Sequence, residues 1–221
     1  MRRPQRAASR SPPAPVEDRS PVVRPLPFVG SDQALVDGLR VGHPAAIAAF
    51  CDRYSSRVLR VLGRILGAGS EIADLHHDVF VRALASARRL EDAATLEGWI
   101  TTIAVNVART ALKRRARRRW LEILPWYEVP EVATFDPSDE DAEALRITYA
   151  IFARLPTDDR IAFALRTLDG MDLREVADAC GVSLATTKRR LARAEAAFLE
   201  MARAEPVLAP WLRGGARWMN R

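Results

Sequence analysis

The sequence predicts an all-α protein, two small helical domains joined by a flexible acidic linker. Hydrophobic residues recur at three- and four-residue spacing, Gly and Pro fall between the segments so marked, and no alternating β-branched run appears in the 221 residues. The placement of charge then divides the chain. Residues 1–30 hold seven of the 14 prolines, six arginines and two acids. Such a stretch buries too little apolar surface to offset its ordering entropy, so it reads as a disordered basic tail. Residues 31–119 carry a net +6 and form the first body. Residues 120–145 hold eight acids, no Lys or Arg, and Pro125, Pro130 and Pro137, which makes a linker of net −8. Residues 146–203 form a second body of net +2, and 204–221 a tail of net +2.

Composition excludes several classes. At 48 % hydrophobic and 28 % charged the chain can bury real cores, so it is not wholly disordered. No apolar run approaches the ~18 residues of a membrane span. Pro4, Gln5 and Arg6 stand where a secretory signal needs apolar residues. Cys51 and Cys180 are too few for a disulfide framework or a four-thiolate zinc site, and they suit a reducing cytoplasm. The formal +6 points to a polyanion, but Lys113 and Lys188 are the only lysines. An arginine skew beside so much alanine also fits genomic base composition, so the distribution of charge decides more than its total.

In the first body helices are expected near 32–40, 44–67, 71–87 and 95–119. The third carries Asp74, Leu75, His76, His77, Asp78, Val79 and Phe80 in sequence. Asp74 and Asp78 are one turn apart, facing either solvent or a basic partner surface. Adjacent His76 and His77 point to different helix faces, so no metal site is expected. The fourth helix, ~35 Å long at 1.5 Å per residue, buries a stripe of Ile100, Ala104, Val107 and Ala111. A second stripe carries Trp99, Thr102, Asn106, Arg109, Lys113 and Arg117. Its cations suit a duplex backbone, and its amide suits a base displaced from the stack. Six cations lie among residues 113–119, too dense for i,i+4 partners to satisfy. A solvated charge run, with Trp99 in the core, is the ordinary alternative.

In the second body helices are expected near 141–154, 157–168, 172–179 and 184–203. The last two form a helix-turn-helix. Ala177 permits close packing, Gly181 suits the left-handed helix end, and Ser183 is a good N-cap. Leu184, Thr187, Leu191, Ala194 and Phe198 share one face of the last helix. The opposite face offers Ala185, Arg189, Ala192 and Arg193, flanked by Thr186, Lys188 and Arg190, as a recognition helix requires. Thr186 and Arg189 are placed to reach base edges; Lys188, Arg190 and Arg193 suit phosphates. A helical hairpin with a solvated charged face is the bland alternative.

Residues 155–194, from Leu155-Pro156 through Glu175-Val176-Ala177, Gly181-Val182-Ser183 and Thr186 to Ala194, resemble the −35-reading domain of bacterial RNA polymerase sigma factors. The likeness is to the compact extracytoplasmic-function (ECF) group of the sigma-70 family. Thr187 departs from the valine usual there. Residues 71–84 resemble the helix that docks on the clamp helices of the polymerase largest subunit, with His77 and Leu84 replacing the usual Gln and Trp. Trp99-Ile100, Ile103-Ala104, Asn106 and Ala108 resemble the −10-reading helix, with Thr110 where an Asp is common.

The resemblance implies a non-enzymatic, cytoplasmic promoter-specificity factor without cofactor. Its partners would be core RNA polymerase, promoter DNA and, in such families, an anti-sigma factor. It assigns Ser183, Thr186, Lys188, Arg189, Arg190 and Arg193 to the −35 element. Trp99, Asn106, Arg109, Lys113 and Arg117 go to the −10 element, with the loop 88–96 holding a flipped base. Asp74, Leu75, His77, Asp78 and Phe80 go to the polymerase. Family linkers thread the polymerase RNA path, so eight carboxylates there read as a nucleic-acid mimic. A helix-turn-helix regulator that never joins polymerase is the rival, but it leaves 71–84 unexplained. A DNA invertase would need βαβ alternation in 31–119, which is absent from the pattern. The two tails are expected to be disordered extensions, with regulatory docking segments as the alternative.

Overall fold

A computed structural model describes residues 30–67, 69, 71–90, 95–121 and 139–213. Among them every regular element is helical: α1 Asp32–Arg40, α2 Pro44–Leu66, α3 Ile72–Ser86, α4 Leu96–Leu121, α5 Asp139–Phe152, α6 Thr157–Thr167, α7 Leu173–Cys180, α8 Leu184–Arg203 and α9 Ala209–Arg213. Residues 1–29 of the predicted basic tail 1–30, most of the acidic linker and residues 214–221 lie outside the described residues.

Local chemistry sets the helix ends. Ser31 caps α1 by accepting from the Ala34 N–H at 3.2 Å, and Pro44 opens α2 where its missing N–H costs nothing. The apolar period of α2 turns Phe50, Val58, Val61, Leu62, Ile65 and Leu66 inward, all at most 1 % exposed. Against it pack α3, through Val79, Phe80 and Ala83, and α4, through the expected stripe of Ile100, Ala104, Val107 and Ala111. Phe50 anchors this body, with the rings of Tyr54, Phe80 and Trp99 at 5.2, 5.6 and 6.0 Å.

The second body closes around another aromatic cluster. Phe152 meets Tyr149, Phe163 and Phe198 edge-on at 5.9, 5.6 and 5.5 Å, tying α5, α6 and α8 together. Asp172 begins α7 with a reciprocal capping box: its carboxylate accepts from the Arg174 and Glu175 N–H groups, and Glu175 accepts from the Asp172 N–H. Those two backbone donors hold the Asp172 carboxyl below its ordinary value. Gly181 ends α7 at φ 67°, a left-handed turn that glycine adopts without a Cβ penalty.

Three features depart from the expected layout. The chain beyond α8 turns back: a 3-10 turn at Pro206–Leu208 and α9 pack on α5 and α8, with Leu208 5 % exposed. The described part of the tail, through Arg213, is therefore built into the second body. Leu184, placed on the apolar face of α8, is 37 % exposed at the first helical position. Third, the two bodies share one continuous core: α2 and α4 pack against α6, and α4 against α7.

Candidate nucleic-acid and polymerase interface

The helix-turn-helix stands as the spacing implies. Ser183 caps α8 by accepting from the Thr186 N–H at 3.2 Å, and its hydroxyl donates to Thr186 Oγ1 at 3.0 Å. Thr187 is fully buried, and its hydroxyl donates to the Ser183 carbonyl at 3.2 Å, so the polar atom is satisfied inside the core. Lys188 and Arg189 are exposed on the front of α8, and Thr186 is half-exposed.

Arg190 and Arg193 are held differently from the free phosphate clamps the sequence suggests. Arg193 forms a bidentate pair with Asp159, both contacts at 2.6 Å, and the Asp159 side chain is only 1 % exposed. Arg190 donates to Asp158 Oδ2 at 3.0 Å, and its own side chain is 17 % exposed. Asp158 and Asp159 open α6 and were given no role by sequence reasoning. The signal was there: two acids in a first helical turn, in the run Thr157-Asp158-Asp159-Arg160. Their partners, 32 and 34 residues later, carry no local spacing rule.

On α4, Asn106, Lys113 and Arg117 are exposed, but Arg109 and Trp99 are engaged. Trp99 is half-buried against Phe50, which makes much of its ring core. Arg109 donates to Asn106 Oδ1, to Asp158 Oδ1 at 3.0 Å and to the Cys180 carbonyl at 3.2 Å. The Thr110 hydroxyl, where an acid is common, donates back to the Asn106 carbonyl at 2.9 Å. Two cations of the dense run find tertiary partners: Arg114 and Arg115 both bind Glu71, and Arg115 also donates to the Leu66 carbonyl at 2.9 Å. Of the loop 88–96, residues 91–94 lie outside the described residues.

The α3 residues divide by helical period. Asp74 and His77 are exposed, while Asp78 is half-exposed and paired with Arg82 at 2.9 Å. Leu75 and Phe80 are 8 % and 6 % exposed and belong to the core, so they support the helix instead of presenting a side chain to a partner. His76 shares a 2.9 Å hydrogen bond with Ser55 and lies against Phe80. Burial first, then the neighbouring His77, push its pKa below the ordinary value. No group of three or more metal-ligating side chains occurs among the described residues. No described helix is long and apolar enough to cross a membrane.

This architecture matches known proteins in two blocks. The family model "Sigma-70 region 2" matches residues 50–118, and "Sigma-70, region 4" matches residues 145–198. The ECF RNA polymerase sigma-E factor of Haemophilus influenzae is 27 % identical over 173 residues, covering 74 % of this chain and 91 % of that protein. CnrH, solved in complex with the cytosolic domain of CnrY, shares the fold with a TM-score of 0.55 at 19 % identity, over 79 % of this chain and 98 % of that one. The sigma factor RpoE from Bartonella quintana, solved in complex with the anti-sigma factor NepR, gives 0.54 at 20 % identity, over 70 % and 95 %. The chain belongs to the sigma-70 family, in its ECF group: it is a non-enzymatic factor that directs RNA polymerase to promoters and binds DNA through the region 4 helix-turn-helix.

Proposed function

We propose that region 4 reads the −35 element with Thr186 and Arg189 while Lys188, Arg190 and Arg193 hold phosphates. Region 2 reads the −10 element with Asn106, Arg109, Lys113 and Arg117 on α4, with Trp99 supporting the start of that surface. The observation that carries the reading is the front of α8, where Lys188 and Arg189 stand exposed beside a capped N-terminus and a buried back of Thr187, Ala194 and Phe198. A helix so arranged fits a major groove, and its basic flank neutralises phosphates. Asp74, His77 and Asp78 on α3 face the polymerase, the two aspartates offering carboxylates to a basic surface. DNA opening needs no catalytic group, because binding energy for displaced bases offsets the cost of unpairing.

The segment between α4 and α5, residues 122–138, serves as a tether whose acids Glu122, Glu128, Glu131 and Asp136 occupy the RNA path as a polyanion. The other four acids of the expected linker, Asp139, Glu140, Asp141 and Glu143, lie on α5. An anti-sigma factor and a cytoplasmic location fit this reading. Run-off transcription with purified core polymerase on a promoter library tests it: transcripts from a defined −35/−10 pair are expected, and none from core alone. Binding to DNA without capture of core polymerase would return the chain to the rival regulator class. Neutralising the 120–145 acids is expected to change abortive initiation or promoter escape, and unchanged transcript profiles would count against the mimic.

A further inference from the structure

We propose that Asp159 is the positioning residue for Arg193: buried beneath the guanidinium, its carboxylate holds that cation as a preformed clamp for a DNA phosphate. This role rests on the assignment of region 4 to the −35 element, and it places one determinant of that contact off the recognition helix. Arg193 Nε donates to Asp159 Oδ2 and Nη2 to Oδ1, each at 2.6 Å, a charge-assisted fork. The arginine side chain is 61 % exposed and the carboxylate 1 %. The acid thus lies under the base, and an anion arriving from solvent meets the cation first. The neighbouring pair has the opposite order, with Arg190 17 % and Asp158 39 % exposed.

The fork leaves a defined edge free. All N–H groups of a guanidinium lie in one plane, and the pair with Asp159 uses the Nε–H and one Nη2–H. Both Nη1 hydrogens and the second Nη2 hydrogen remain, coplanar, at the outer end of the side chain. That edge matches two oxygens of a phosphate. Arg193 follows exposed Arg189 by one turn, about 6 Å along the axis, and Ala192 beside it is exposed. The first residues of a recognition helix meet base edges, so a cation further along it is directed at the bordering strand.

The frame under the pair is rigid. Asp159 stands in the first turn of α6, at the positive end of that helix's dipole. One turn on, Phe163 meets Phe198 of α8 at 5.5 Å, and Ala194, next to Arg193, is 1 % exposed. These contacts fix the spacing of α6 and α8, so the carboxylate has a set position under α8. A long surface arginine loses rotamer freedom when DNA arrests it. Here folding has already taken that loss, and binding is stronger by the same amount. A pair that only staples α6 to α8 would act on stability alone.

The test uses holoenzyme reconstituted from core polymerase and the full chain. Its probes are a promoter duplex taken from the run-off library and duplexes carrying single base changes in the −35 element. Wild type is compared with Asp159→Asn, Arg193→Gln and the double variant, each checked for native helicity. By charge alone, removing an acid near DNA would tighten binding. Positioning predicts the reverse sign: Asp159→Asn weakens binding ~5-fold, by the same factor on every duplex, since a phosphate contact carries no sequence information. In the Arg193→Gln background the same substitution costs nothing further. Equal or tighter binding by Asp159→Asn overturns the proposal. So does a loss that persists in the Arg193→Gln background, or one that alters discrimination among the duplexes, because region 4 itself has then changed. A second measurement needs no variant. The NMR order parameter of the Arg193 Nε–H in the free wild-type chain is expected above about 0.6, and a lower value, that of a mobile side chain, overturns the proposal. Failure of the promoter assignment shows separately, as the lack of any wild-type transcript in the run-off experiment.

Discussion

Replacing Gly67 by alanine tests how the last turn of α2 is joined to region 4. Gly67 stands at φ 76°, ψ −170°, a region that residues with a Cβ occupy at a cost of about 1–3 kcal/mol. Space adds to the conformational cost. A Cβ built there lies 3.2 Å from Tyr149 Cδ1 and 3.5 Å from Cε1, so the ring must retreat by a few tenths of an ångström. It has little room to do so. Tyr149 is 5 % exposed, its hydroxyl reaches the Gly63 carbonyl at 3.3 Å, and its ring meets Phe152 at 5.9 Å. Mild overpacking of this kind adds about 1 kcal/mol, for a total near 2–4 kcal/mol. That lowers the folding equilibrium constant by a factor of roughly 30 to 700 at 1.4 kcal/mol per decade. Urea unfolding followed by far-UV circular dichroism measures it, and the same substitution in a Tyr149→Ala background isolates the backbone part. A loss under about 0.5 kcal/mol would refute the reasoning, since neither the strain nor the contact could then exist.

Further expectations follow from the same geometry. Phe198→Ala, at a site 3 % exposed and in contact with Phe152 and Phe163, should destabilise by about 3–5 kcal/mol in denaturant titration. Lys188→Ala should weaken binding to all −35 duplexes alike and flatten the log–log salt dependence by about 0.9, whereas Arg189→Ala should relax discrimination at one base position by about 1–3 kcal/mol. Fluorescence anisotropy over a salt series separates the two. Because the folded-state pKa of His76 is lowered from 6.5, the unfolded chain binds the proton more readily there. The neutral ring's contribution is full above 6.5 and lost as pH falls toward the lowered value, so His76→Gln should flatten the fall in melting temperature over that interval.

Periodicity was the legible part of the fold. The buried stripe of α4, Ile100, Ala104, Val107 and Ala111, is at most 2 % exposed, and the last two helices of region 4 lie within a residue of their expected bounds. Capping chemistry made that possible at the turn, since Gly181 and Ser183 announce the helix ends on either side of it. The limits were set by range. Arg114 and Arg115 looked unpaired because their acid, Glu71, lies 43 and 44 residues away. Arg193 looked free because Asp159 is 34 residues upstream. Leu75 and Phe80 entered the polymerase surface through a motif that does not distinguish residues holding a helix in place from those it displays. The fold-back at 206–213 escaped because a turn of Pro206, Val207 and Leu208 is too short to show any period.

Helix α2 ends on carbonyls that its own chain segment cannot satisfy. The Ile65 oxygen is supplied by Arg160 of region 4, and the Leu66 oxygen by Arg115 near the far end of α4. One domain thus finishes the helix of the other, and the boundary between regions 2 and 4 is not a thermodynamic one. Cutting the chain within 122–138 and separating the pieces would hand the Ile65 carbonyl to water. Exchange protection at the end of α2 should then drop, while Phe50 and its neighbours stay sealed. The two halves of this factor match separate family models, yet they share one core, and each completes the other's hydrogen bonds.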